Sequence, residues 1–168
     1  MREINPIGTI HSPHRSIKNM PIQPTGASGI EGCVVVDEKY VDGLQDIDGF
    51  SHVYLLYSFH ETTRVELLTA PFMDEQKRGV FATRSPLRPN HIGISIVKLK
   101  RVEGNKVFVE GVDILDGTPL LDIKPYVEKF DAVEKSTSGW LEASTEDAVS
   151  YTHLRAHETP EHLVCRLL

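Results

Sequence analysis

Apolar and polar positions alternate along most of the chain, which points to strands. Ile4–Ser12 is rich in β-branched residues and bounded by proline, as expected of a first strand. Gly32–Val36 is a short apolar run of the kind that forms a buried strand. Phe50–His60 predicts a strong strand, apolar on both faces through Val53, Tyr54, Leu55, Leu56, Tyr57 and Phe59. Gly79–Thr83 predicts a further strand. Ile92–Val102 and Lys106–Ile114 are β-rich runs joined by Glu103-Gly104-Asn105, a hairpin signature. Lys124–Phe130 and Trp140-Leu141 finish the body.

Between these runs, Pro13–Gly29 reads as a long loop, and Asp37–Leu44 as one or two helical turns that stop near Asp48-Gly49. Arg64–Phe72 is an excursion closed by Ala70-Pro71. Many short strands with hairpin-scale connections predict a mainly β chain, an antiparallel barrel or sandwich with few short helices. Strands and helices do not alternate, and there is no G-x-G-x-x-G, which argues against a doubly wound nucleotide fold.

At 168 residues the chain is sized for one domain. Its longest apolar stretch, Val53–Phe59, falls far short of the roughly 20 residues that span a bilayer. The N-terminus carries no charged-then-apolar leader, and two cysteines are too few for a disulfide framework, so a cytoplasmic protein without membrane partners is expected. The net charge of −6 speaks against a generic nucleic-acid binder. Position changes that picture. Lys77–Lys106 holds eight cations against Glu103 alone, +7, and Val107–Ala148 holds three cations against ten acids, −7. The basic stretch suits a polyanion held by its phosphates; the alternative is a solvated face paired with acids elsewhere.

The last twenty residues have a different character. His153, His157 and His162 cluster there without apolar periodicity. Val149–Leu168 can be back-translated in one frame into codons that resemble a transposon-type sequencing adapter, an index and the primer segment that follows it. We therefore expect residues 1–148 to form the domain and 149–168 to be a non-native tail, set aside from fold reasoning.

Two stretches concentrate chemistry. In Gly79–Gly93, Pro86 and Pro89 stiffen a loop that carries Arg84 and Arg88, whose guanidinium forks suit carboxylates or phosphates; the alternative is an arginine pair bracing the fold. In Asp113–Tyr126, Asp116 reads as a turn residue, while Asp122 is an unusual carboxylate between apolar neighbours. His52 and His60, eight strand steps and ~26 Å apart, cannot share a metal. No Cys pair or H-E-x-x-H is present, so no metal is expected.

Gly8–Pro13, Pro21–Gln23, Gly49–His52, Gly79–Gly93 (with GVFATRSPLRPN) and Asp113–Tyr126 (with DGTPLLDIKPY) together resemble the TsaA/TrmO-like family. The resemblance implies a compact antiparallel β-barrel, usually dimeric. It would bind S-adenosylmethionine and methylate N6 of threonylcarbamoyladenosine beside the tRNA anticodon. By motif position it implies a cofactor pocket of Pro21, Ile22, Gln23, His60, Glu61, Arg84, Ile94, Asp113, Ile114, Leu115 and Asp116. Arg84 would pair with the cofactor's carboxylate. Asp122, or water, would serve as a base, and Arg88, Lys98, Lys100 and Arg101 would hold the anticodon stem-loop. His91 stands where the family more often has proline. Competing expectations are a barrel that methylates a small molecule without RNA, and a non-catalytic RNA-binding module.

Overall fold

The computed structural model describes residues 3–17, 27–71 and 76–142. Its strands are β1 (Gly8–His11), β2 (Glu31–Val36), β3 (His52–Ser58), β4 (Leu68–Thr69), β5 (Arg78–Gly79), β6 (Ile92–Glu103), β7 (Lys106–Glu110) and β8 (Thr118–Pro125). Six of them close into a barrel in the order β1-β2-β7-β6-β3-β8, with every pairing antiparallel. Closure leaves no edge strand in that sheet. The short pair β4–β5 stands apart.

Alternation sorts the side chains. Ile10, Val34, Val36, Val53, Leu55, Val97, Leu99, Val107, Val109 and Leu120 fill the barrel, with Val112 and Ile114 closing one end. Each such burial contributes roughly 1.5–3 kcal/mol, against under ~1 kcal/mol for an exposed ion pair, so the core holds the fold. Gly104 turns the β6–β7 hairpin at φ +58, a conformation glycine adopts without strain.

Several expectations are corrected. Of the expected strand Gly79–Thr83 only Gly79 is in one, the two-residue β5 that begins at Arg78. Val80–Ala82 is a 3-10 turn, because Thr83 Oγ1 donates back to Val80 O at 2.9 Å and the chain folds on itself. The run from Lys106 stops at Glu110, since Gly111 turns at φ +89. The last barrel strand starts at Thr118 rather than Lys124. After it, Glu128–Asp131 forms one helical turn (α1), capped where the Val127 amide donates to Asp131 Oδ2. The turns after β2 are 3-10, at Glu38–Leu44 and Ile47–Gly49.

Two β-bulges redirect side chains. Leu56 pairs with Asp122 and Tyr57 with Leu120, so Leu121 is an extra residue in β8. Strict alternation from Thr118 and Leu120 would point Asp122 into the core; the bulge turns it outward. Lys100 is likewise extra against β7, which puts Lys98, Lys100 and Arg101 all on the outer wall.

Candidate functional site

Polar groups gather at one end of the barrel, where β1 and β3 finish and β6 and β8 begin. Asp113, on the segment after β7, accepts from Ser95 Oγ at 2.7 Å, and Ser95 Oγ lies 3.1 Å from the Tyr57 hydroxyl. Burial pushes the Asp113 carboxyl above the usual carboxylate range, against the pull of the Ser95 hydrogen bond, Arg84 and His14. Burial also pushes the Tyr57 phenol up to about 12, so it remains a protonated donor at ordinary pH. Gly93 makes room for this arrangement: a Cβ there would collide with the Tyr57 ring and lie 2.9 Å from Phe59 Cζ.

Asp116 does a different job. It accepts from the Ser12 amide at 3.1 Å, pairs with Arg15 at 2.9 Å and lies 3.3 Å from His11 Nδ1. Burial raises its carboxyl, but the Ser12 amide, Arg15 and His11 outweigh that and hold it low. It ties the chain after β1 to the 113–117 segment, in keeping with its reading as a turn residue. Nearby, Ser12 Oγ donates to Ile114 O at 2.6 Å, Thr118 Oγ1 to Leu115 O at 2.7 Å, and His14 Nε2 to Val112 O at 3.0 Å.

The two loop arginines part company. Arg88 turns inward: Nε donates to Ser85 O (3.1 Å) and Nη2 to Val80 O (3.0 Å) and Thr83 O (2.7 Å). It braces the loop through backbone carbonyls. Arg84 is exposed and forms no hydrogen bond or ion pair with a described residue, yet its charge reaches Asp113 and Tyr57. His91 adopts φ +49, a conformation closed to proline, and its Nδ1 donates to Pro86 O at 2.9 Å.

His60 and Glu61 follow β3 on the surface of the same end, held by the Phe59 amide on His91 O at 2.8 Å. Ile94 points outward from β6, 48% exposed. It lies in one row with Leu56 and Asp122 across β6, β3 and β8. Asp122 Oδ2 sits 3.0 Å from Lys124 Nζ, and its Oδ1 accepts from the Ile123 amide. Further along β6, Lys100 donates to Glu110 at 2.7 Å. Arg101 donates to Glu103 at 2.6 Å and lies 3.7 Å over the Phe108 ring. The +7 stretch is thus partly neutralised on its own wall. Pro21, Ile22 and Gln23, like residues 149–168, lie outside the described residues. Among the described residues no three His, Cys, Asp or Glu side chains group as metal ligands, and no helix is long and apolar enough to cross a membrane.

Residues 9–132 match the family described as the tRNA-methyltransferase O N-terminal domain. The chain belongs to this family. A Pyrococcus abyssi relative named as a probable S-adenosyl-L-methionine-binding protein is 55% identical over 137 residues, 82% of this chain and 74% of that protein. A mouse tRNA (adenine(37)-N6)-methyltransferase is 38% identical over 76% of this chain, which spans only 31% of that enzyme. The crystal structure of TrmO from Pseudomonas aeruginosa superposes with a TM-score of 0.70 at 37% identity, covering 83% of this chain and 62% of that one.

Within the TrmO N-terminal framework, sequence reasoning missed Tyr57, Ser95 and His14. One signal was available for Ser95. It is the lone hydroxyl on an inward row otherwise made of Gly93, Val97 and Leu99, and a buried hydroxyl needs a partner.

Proposed function

We propose that the chain is an S-adenosylmethionine-dependent methyltransferase acting on tRNA, at N6 of threonylcarbamoyladenosine next to the anticodon. The observation that carries this reading is Arg84, exposed and without a bonded partner among the described residues, beside the half-buried Asp113. A guanidinium without a bonded partner and a half-buried carboxylate within reach of its charge fit a cofactor that bears both signs. Arg84 takes the cofactor's carboxylate. Asp113, the Ile114–Leu115 backbone and Asp116 line the neighbouring wall, with His60, Glu61 and Ile94 on the rim and Pro21, Ile22 and Gln23 completing the set.

S-adenosylmethionine supplies an electrophilic methyl group on its sulfonium. The chain's part is chiefly to hold the two reactants in line. Asp122, in the outer row with Ile94, accepts the proton that N6 loses; Asp122→Asn should lower turnover while leaving cofactor affinity unchanged. Lys98, Lys100 and Arg101 hold the anticodon stem-loop by its phosphates, exchanging weak surface pairs for phosphate contacts. Arg88 serves that surface by shaping the loop that presents Arg84. The apolar outer strip of Leu56, Ile94 and Ile96 supports a homodimer, which would cover it. A cytoplasmic location fits a tRNA substrate.

The test is transfer of labelled methyl to tRNA with and without prior threonylcarbamoylation. Transfer only to the threonylcarbamoylated tRNA supports the reading; transfer to neither overturns it. Pairing of Lys100 and Arg101 with acids favours a second reading, methylation of a small molecule without RNA. In that case cofactor binding survives while no tRNA is retained at low salt.

A further inference from the structure

Tyr57, Ser95 and Asp113 form a hydrogen-bonded line from the core to the barrel mouth, and proton counting gives it a direction. An ionised Asp113 can only accept, so the single Ser95 proton goes to Asp113 Oδ1 at 2.7 Å. The Tyr57 hydroxyl, 3.1 Å from Ser95 Oγ, then donates to Ser95. Both hydroxyl residues are almost fully buried, at 6% and 2% exposure, so neither is placed to touch a ligand. Their geometry is fixed by packing. The Phe59 ring stands edge-on to Tyr57 with centroids 5.4 Å apart, and Gly93 leaves the Tyr57 ring no room to move toward β6.

The ionisable groups near enough to act on Asp113 are Arg84, from the loop before β6, and His14, from the segment after β1. Neither closes an ion pair with it. Burying a carboxylate without a cation is costly, and two neutral hydroxyls in series offset that only in part. A carboxylate and an unpaired guanidinium within reach of each other's charge match an α-amino acid, whose ammonium and carboxylate sit on one carbon.

We propose that Tyr57 and Ser95 are positioning residues that aim Asp113 at the ammonium of the bound cofactor's amino-acid end, while Arg84 takes its carboxylate. This inference rests on the cofactor reading above and adds to it the residues that read the ammonium.

Calorimetric titration of the full chain with three ligands tests it. These are S-adenosylmethionine, its decarboxylated form, which keeps the ammonium, and 5′-methylthioadenosine, which has no amino-acid end. Asp113→Asn should weaken the first two about 10-fold or more, and Ser95→Ala and Tyr57→Phe about 3- to 10-fold, the range of hydrogen bonds to charged groups and their supports. All three variants should bind 5′-methylthioadenosine like the wild type, which also reports intact folding. Arg84→Ala should weaken S-adenosylmethionine and spare the decarboxylated form. If the wild type binds S-adenosylmethionine and these variants bind it equally well, or lose all three ligands alike while folded, the inference fails and the cofactor reading stands. If the wild type binds none of the ligands, both fail.

Discussion

Asp113 and Asp122 are nine residues apart and occupy opposite situations. Asp113 lies at the barrel mouth, desolvated, held by a hydroxyl and faced by a guanidinium that does not touch it. Asp122 lies on the outer wall, half-exposed, with Lys124 at 3.0 Å. The difference comes from backbone geometry, because the extra residue Leu121 turns Asp122 out of the core. A carboxylate whose charge is already matched contributes little to the fold and has less to offer a ligand. One left buried without a cation weakens the fold and gains most from a cationic partner.

The largest test removes the space on which the mouth depends. Gly93→Ala pushes the Tyr57 ring aside and should cost about 1–3 kcal/mol in urea unfolding, as overpacked cores do, while the Asp122–Lys124 wall stays in place. Next come the two loop arginines. Arg88→Ala strips a charged donor from three carbonyls and should cost about 1–2 kcal/mol, and lysine should not restore it, lacking the planar fork. Arg84→Ala should stay within about 0.5 kcal/mol of wild type in the same unfolding series. Equal effects of the two would erase the distinction between brace and ligand arm.

A smaller effect separates the carboxylates by pH. The Asp113 carboxyl is raised in the folded protein, so the protonated form favours the fold. That contribution is fully present below the ordinary value of 3.8 and is lost as pH rises through the folded value. Asp113→Asn should therefore melt higher than wild type at neutral pH, with the gain vanishing on acidification toward 3.8. Asp122→Asn is the smallest change, under about 0.5 kcal/mol as for exposed pairs. A neutral-pH gain for Asp122→Asn as large as that for Asp113→Asn would break the comparison.

The barrel was legible because alternation of period two reports burial directly, as in Val53, Leu55 and Tyr57. The bulges were not, since an extra residue is defined only against a partner strand. That is why Asp122 stood out in the sequence as an oddity without an explanation. Arg84 and Arg88 are equivalent in composition and four residues apart. Only the closed 3-10 turn at Val80–Ala82, which places carbonyls under one of them, tells them apart. The Tyr57–Ser95–Asp113 line joins residues 38 and 18 positions apart, a coincidence made by barrel closure. The +7 count survives as arithmetic, but Glu110 answers part of it across the hairpin.

Near the end of the described chain, Trp140 Nε1 donates to Ala82 O at 2.8 Å, and the Arg78 guanidinium lies 5.6 Å from the indole. This indole pins the chain's exit two residues before Arg84. The described segment that ends at Glu142 is therefore tethered beside the loop that carries Arg84, at the high effective concentration that tethering confers.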